Sequence, residues 1–300
     1  MRGNWSAEYN RSDFENTIVD ASKKYDSYQQ LLFKGSYRLK ARLSANAAAG
    51  YENNNLISGA ESGFTGNIGA GWNPSRRFFV SGSVGRRVYG TTKAFLLNYR
   101  ARRAEFSAGY DEEVTNNTGV NSANGIDNNL NNPQNPAGNP AGVPTQNNAL
   151  FPTLSNEIFV RKRFSSDFTL NSRKGSLKWF VFNERREFQS IGRNDEDVFG
   201  SSITLQFLFG QTLYATLLAD WSRTNYNDGG LLSSGSQTVE VPDRVDDISR
   251  GELSLNKKVS KQVIIKLAYS YNERASNFSS KDYNQNVVTA NVDVILDRTK

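Results

Sequence analysis

The residues that could do chemistry in this chain are charged, and they tend to recur at even-numbered separations. Lys34, Arg38 and Arg42 are four residues apart, Arg161 and Arg163 two, and Lys178 and Arg186 eight. Arg87, Arg100, Arg173, Arg250 and Lys266 are further candidates. Glu52, Glu105, Asp111, Asp167, Glu184, Asp220, Glu252 and Asp293 fall on the same faces. In an extended strand, side chains two residues apart share a face, so these groups would gather on one surface. If that surface lines a lumen, the wall is mixed with a basic excess. Rings of Arg and Lys favour anions in a pore, and the planar fork of Arg suits carboxylate, phosphate and sulfate oxygens. The competing reading is that cross-strand ion pairs knit the wall together and fill space.

Other chemistry lacks its groups. The 300 residues include no Cys and no His. That removes disulfides and thiolates, the usual ligands of zinc, haem and copper, and the base of a Ser-His-Asp triad. The adjacent acids Glu112-Glu113 and Asp246-Asp247 would point to opposite faces of a strand, so neither pair can work as acid and base on one substrate. No nucleophile elbow, P-loop or calcium-loop pattern is present. No enzymatic step, metal or cofactor is expected.

The elements that must position these residues are strands. Leu31, Phe33, Gly35, Tyr37 and Leu39 alternate with Gln30, Lys34, Ser36 and Arg38, and comparable alternation recurs from end to end. Fourteen strands are expected near 3–13, 26–39, 42–53, 62–73, 77–90, 92–101, 104–116, 155–173, 175–190, 196–209, 212–226, 247–257, 262–277 and 285–298. In the stretch 155–173, Lys162 breaks the apolar face, so a bend or split is expected there. Short connections at Lys40-Ala41, 73–76, Arg102-Arg103, Lys174-Gly175, Gly210-Gln211 and 258–261 alternate with longer ones at 14–25, 54–61, 117–154, 191–195, 227–246 and 278–284. On the longer side only Gly90-Thr91 is short. The segment 117–154 is dense in Asn and holds five of the seven Pro, so it reads as a flexible external loop.

Aromatic residues make 12% of a chain whose mean hydropathy is −0.61. A transmembrane barrel combines these naturally, because only alternate residues touch lipid and aromatics line both interfaces. No run of apolar residues is long enough for a membrane-spanning helix. The expected fold is all-β: one transmembrane antiparallel up-and-down β-barrel over 1–300, with short periplasmic turns and long extracellular loops, in a bacterial outer membrane. Trp5, Trp72, Phe78, Trp179 and Tyr214 lie near strand ends, as an aromatic girdle requires; ordinary sheet packing is the plainer alternative. Lys and Arg exceed Asp and Glu by 36 to 30, a net charge of +6. Arg161-Lys162-Arg163, Arg185-Arg186, Arg76-Arg77 and Arg102-Arg103 would suit nucleic acid in isolation, but at a membrane they suit the headgroup boundary. Outer-membrane lipid and lipopolysaccharide are therefore the expected partners, and nucleic acid is not. The start, Met1-Arg2-Gly3-Asn4-Trp5, has no apolar signal core, so the signal peptide of an exported precursor is expected to lie outside this sequence.

The segment GSYRLKARLSANAAAGYENN (35–54) has a layout of strand, tight turn, strand and Asn-rich loop, and LSNEIFVRKRFSSDFTLNSRKGSLKWFVFNERRE (154–187) and the end, YNQNVVTANVDVIL (283–296), are two further recognisable segments. Together they make the chain similar to the outer-membrane barrels of exosortase/PEP-CTERM and exopolysaccharide gene clusters, a β-barrel porin family. The resemblance implies an accessory role in exporting extracellular polysaccharide, with periplasmic export proteins as partners. One departure is the end, Ile295-Leu296-Asp297-Arg298-Thr299-Lys300, where many barrels finish on an aromatic. The function expected is a passive conduit, for export of an anionic exopolysaccharide or passage of anionic solutes. The alternatives are a nonspecific small-solute porin and a plugged anchor or sleeve for a surface or electron-transfer assembly.

Overall fold

A computed structural model describes residues 3–16, 24–54, 62–116, 158–188, 194–227, 230–234, 237–241, 243–260, 262–278 and 282–294. It contains the strands β1 (Gly3–Asn16), β2 (Lys24–Lys40), β3 (Leu43–Asn54), β4 (Ser62–Ser75), β5 (Phe78–Arg87), β6 (Gly90–Arg100), β7 (Ala104–Asn116) and β8 (Ile158–Asn171). They are followed by β9 (Gly175–Phe188), β10 (Glu196–Leu208), β11 (Leu213–Tyr226), β12 (Gly230–Ser234), β13 (Gln237–Val241), β14 (Arg244–Lys258), β15 (Val263–Ser276) and β16 (Tyr283–Val294). Fourteen of these form one antiparallel sheet in the order β1 to β11, then β14, β15 and β16, so each strand pairs with its sequence neighbour. This up-and-down meander is the architecture of a transmembrane β-barrel. Strands of 10 to 17 residues exceed the usual globular length and match tilted membrane strands.

Three of the short turns share a local cause. Ser75, Ser172 and Ser260 each accept, through the hydroxyl, the backbone N–H two residues on, at Arg77 (3.2 Å), Lys174 (3.3 Å) and Gln262 (3.1 Å). A hydroxyl that satisfies a turn amide favours the reversal over a longer strand. Two turns differ from the expected positions: Ala41-Arg42 replaces Lys40-Ala41, where the β2–β3 register shifts between Arg38 and Lys40, and Ser172–Lys174, capped by Ser172, replaces Lys174-Gly175. The turn expected at Gly90-Thr91 is Val88-Tyr89, followed by Gly90 at φ 137°, a conformation that glycine adopts without steric cost.

Three further differences concern whole elements. Within the expected stretch 155–173 the described strand β8 is neither split nor bent out of register: it runs unbroken and pairs residue by residue with β7 and β9. Its Lys162 faces outward between Glu112 of β7 and Arg185 of β9, and its ammonium lies 2.5 Å from Glu187. Inside the long 227–246 connection, β12 and β13 form a separate two-stranded hairpin. Finally, the sheet is not closed by hydrogen bonds: among the described residues β1 pairs only with β2, and β16 only with β15. The loop expected at 117–154 lies outside the described residues.

The two faces of the sheet invert the usual burial order. Trp5 is 87% exposed, Phe64 84% and Ile68 66%, and most of the apolar partners across the strands resemble them. Fully or nearly buried side chains on the opposite face include Glu52, Arg161, Arg163, Glu184, Arg186, Glu196 and Asp246. A protein folded for water would place these sets the other way round. Curvature of the sheet crowds the polar face together and leaves the apolar face outward.

Candidate functional site

The polar, concave face is the candidate functional surface, and its loop-side part is built from aligned rows. One row runs across six strands through Glu113, Arg161, Arg186, Glu196, Tyr226 and Arg244, each directly opposite the next. The row beneath it is Asp111, Arg163, Glu184, Val198, Thr224 and Asp246. The alternation of strands fixes the face, and the register fixes the level. Glu184, 1% exposed, holds Arg186 at 2.6 Å and Arg163 at 3.6 Å. Arg186 also reaches Glu196 at 3.3 Å, and Arg161 is paired with both Glu113 and Asp111. On the far side Asp246 receives Arg244 at 3.3 Å and also Arg274.

Aromatic rings support these guanidinium groups. Arg163 lies over Phe182 at 4.6 Å and Phe180 at 5.4 Å, Arg186 over Phe159 at 5.5 Å, and Arg244 over Tyr226 at 3.5 Å. A desolvated cation over a ring is stabilised by the ring's negative face. Phe182 lies flat because position 200, directly opposite, is glycine: a Cβ there would stand 2.5 Å from the ring. The opposite part of the wall has low relief. Small residues of β3 to β7, among them Ser81, Ser83, Ala94 and Ser107, border a recess of about 450 Å³ that also touches Asp111 and Asp167. The polar surface is therefore lopsided, with a filled, charged arc over β7 to β15 and a shallow hydroxyl-rich arc over β3 to β7.

Of the twelve basic residues expected on this surface, ten are there: Lys34, Arg38, Arg87, Arg100, Arg161, Arg163, Lys178, Arg186, Arg250 and Lys266. Arg42 and Arg173 are not, because both lie exposed in short turns at the rim. Nine of the ten are neutralised. Arg87 makes a two-pronged bond with Glu52, at 2.8 and 3.2 Å. Arg100 meets Glu105 at 3.0 Å, Lys178 meets Asp167 at 3.8 Å, and Arg250 and Lys266 share Glu252 at 2.6 and 3.8 Å. Lys34 pairs with Glu8, and Arg161, Arg163 and Arg186 have the partners given above. Arg38 is exposed and has no acidic partner among the described residues. The ion-pair reading of these side chains thus holds for nearly all of them.

Of the expected girdle residues, Trp5, Trp72, Phe78 and Trp179 face outward. Trp72 and Phe78 make an edge contact at 6.4 Å beside the β4–β5 turn, and Trp179 donates to Ser201 on the neighbouring strand at 3.0 Å. Tyr214 does not belong with them. It follows outward-facing Leu213 and sits opposite Asn256, which is buried on the polar face. Sequence reasoning also missed Phe180 and Phe182. They lie in Trp179-Phe180-Val181-Phe182, where both faces are apolar and no alternation shows.

No protein-family model matches the chain, and no curated protein matches it. Among solved structures, OmpT, an outer membrane protein of Vibrio cholerae, aligns over 97% of this chain and 94% of its own, with 8% identity and a TM-score of 0.41. A loop-deletion mutant of that protein gives 8% identity and a TM-score of 0.42, covering 97% and 98%. A Salmonella typhi OmpF in complex with daunomycin gives 9% identity and a TM-score of 0.31, with 97% of each chain covered. At such scores the fold rests on the strand pairing and face distribution of the chain itself.

Proposed function

We propose that the chain is a bacterial outer-membrane β-barrel that acts as a passive conduit for small polar solutes, with no covalent step. The carrying observation is the inversion of its faces: outward apolar side chains next to an inward wall of charge and hydroxyl. Only a surrounding apolar medium stabilises the first, and only an aqueous or tightly paired interior stabilises the second. A conduit also requires that β1 and β16 meet, since unpaired strand edges are costly in hydrocarbon. Solutes would pass along the low-relief arc of β3 to β7.

Passage of anions, including an exported anionic polysaccharide, is the finer reading. It draws on the family resemblance and on the basic excess. The ion pairs weaken it, because a cation bonded to a carboxylate offers little field to a passing anion, so the preference for anions should be slight. The filled charged arc favours a second reading, a plugged structural barrel. Purified protein in a planar bilayer under a salt gradient tests both. A steady ohmic conductance with a small anion preference supports the conduit. Strong cation selectivity sinks the anion reading, and absence of conductance in correctly inserted protein sinks the conduit and leaves the plugged barrel.

A further inference from the structure

The conduit leaves one concentration of charge unused, at the short-turn rim. Four successive turns, β2–β3, β4–β5, β6–β7 and β8–β9, carry Arg42, Arg76, Arg77, Arg102, Arg103, Arg173 and Lys174, with Lys40 at the first turn's edge. These turns contain no acidic residue. All eight cations are exposed, and among the described residues none has a carboxylate partner. This separates them from the cations of the polar face, nine of which are paired. The net charge of the chain is +6, and these four turns hold eight cations with no acid.

The geometry makes the rim a continuous arc. Neighbouring strands lie ~4.8 Å apart, so turns joining every second pair are spaced ~10 Å, and four of them span ~30 Å. The arc borders the outward apolar band. Leu39, Leu43, Trp72, Phe78, Tyr99 and Phe106 each lie within a few residues of these turns and face away from the lumen. A cation three residues beyond such a side chain stands ~10 Å along the strand from it, at the level of headgroups beside a hydrocarbon layer.

We propose that this arc binds the phosphate-bearing headgroups of anionic glycerophospholipids in the leaflet on the short-turn side. The proposal rests on the reading of the chain as a membrane barrel. Anionic lipid is favoured over a soluble anion because the arc is spread over ~30 Å and adjoins apolar side chains, whereas a single phosphate is bound by converging donors. Each guanidinium can hold two phosphate oxygens, and the acyl chains then lie along the outward residues.

The test uses the full chain refolded into vesicles and then into mixed micelles, with phosphatidylglycerol and phosphatidylcholine as probes. Flotation with pure phosphatidylcholine vesicles reads the membrane assignment alone, and failure to float with either lipid overturns that assignment and the proposal with it. In mixed micelles, mass spectrometry of the intact complex should show phosphatidylglycerol retained over phosphatidylcholine. The combined variant Arg76→Gln, Arg77→Gln, Arg102→Gln, Arg103→Gln should still float and should lose this preference by on the order of tenfold or more. The corresponding four Arg→Lys changes should keep most of it. Arg185→Gln with Arg223→Gln, at the loop end, lowers the net charge and should leave the preference in place. A Gln variant that floats and keeps its lipid preference overturns the headgroup proposal, as does equal displacement of the lipid by millimolar inorganic phosphate or by an acidic peptide.

Discussion

Replacing Ile68 with Arg separates a membrane barrel from any water-soluble sheet. Ile68 is 66% exposed, and it pairs with Ala47 on one side and Val84 on the other. In water, an Arg at such a site costs little, within about 0.5 kcal/mol. In a bilayer the cost depends on depth. Outward-facing Phe64 and Trp72 lie four residues to either side, ~13 Å along the strand at ~3.3 Å per residue. With a tilt near 40°, each is ~10 Å from Ile68 along the membrane normal. These two outward aromatics thus bracket most of an apolar band of ~25 Å, with Ile68 at its centre. An Arg at the midplane of such a band costs roughly 2–4 kcal/mol, and one at the interface about 0–1 kcal/mol. Ile68→Arg is therefore expected to lower the folding constant by about 30- to 1,000-fold, and Trp72→Arg by tenfold at most. Denaturant titration of folding into vesicles, read by gel mobility and by tryptophan emission, measures both. If Ile68→Arg stays within 0.5 kcal/mol of the parent, the outward face does not meet lipid and the reasoning fails.

Four other outcomes follow from particular contacts. Glu52→Gln removes the charge that meets Arg87 in a fully buried position and should destabilise the fold by about 1–3 kcal/mol, less than for a wholly buried pair because Arg87 is partly exposed; denaturant titration reads it, and Glu52→Gln with Arg87→Met should recover part of the loss. Gly200→Ala sets a methyl 2.5 Å from the Phe182 ring and should cost roughly 1–3 kcal/mol; the cost should shrink in a Phe182→Leu background, and an equal cost in both would show that the ring is not the cause. Ser83→Trp fills part of the low-relief recess and should lower single-channel conductance without changing vesicle insertion, whereas unchanged conductance would place the path elsewhere. Amide hydrogen exchange in vesicles should protect the outer edges of β1 and β16 as strongly as β9 and β10 if the two edges meet, and fast exchange at both would mean an open sheet.

The strands and their faces were legible because a period of two is a local property. The face of every residue in Leu31–Arg38 follows from its neighbours alone, and the register of β2 with β3 keeps it. What sets a turn is finer than periodicity. The hydroxyl of Ser172 and the register shift between Arg38 and Lys40 go with reversals one or two residues from the expected positions, and that is how Arg173 and Arg42 leave the polar face for the rim. Tyr214 was misplaced for a different reason: closeness to a strand end outweighed parity, although the outward set Leu213, Ala215 and Leu217 already puts residue 214 on the other side. Ion-pair partners were least legible. Glu113 and Arg161 stand opposite each other across β7 and β8 but are separated in sequence by the whole 117–157 connection. Pairing is a property of register between strands, and no single strand carries it.

The placement of charge sharpens what the basic composition means. A net charge of +6 spread over a pore wall would draw anions through it, and the same charge confined to a rim would not. Inside, the cost of burying Arg161, Arg163 and Arg186 is offset by Glu113, Glu184 and Glu196 and by rings beneath the guanidinium groups, so the wall is strongly polar yet close to neutral. At the rim, Arg76, Arg77, Arg102 and Arg103 are exposed and have no acidic partner among the described residues. Their field extends ~8–10 Å at physiological ionic strength, enough to cover the headgroup layer beside them and too short to reach the loop-side rows of Arg161 and Arg186, nine or more residues farther up β8 and β9. The excess charge therefore sits at the short-turn rim, while the two carboxylates that touch the low-relief recess, Asp111 and Asp167, are balanced by Arg161 and Lys178.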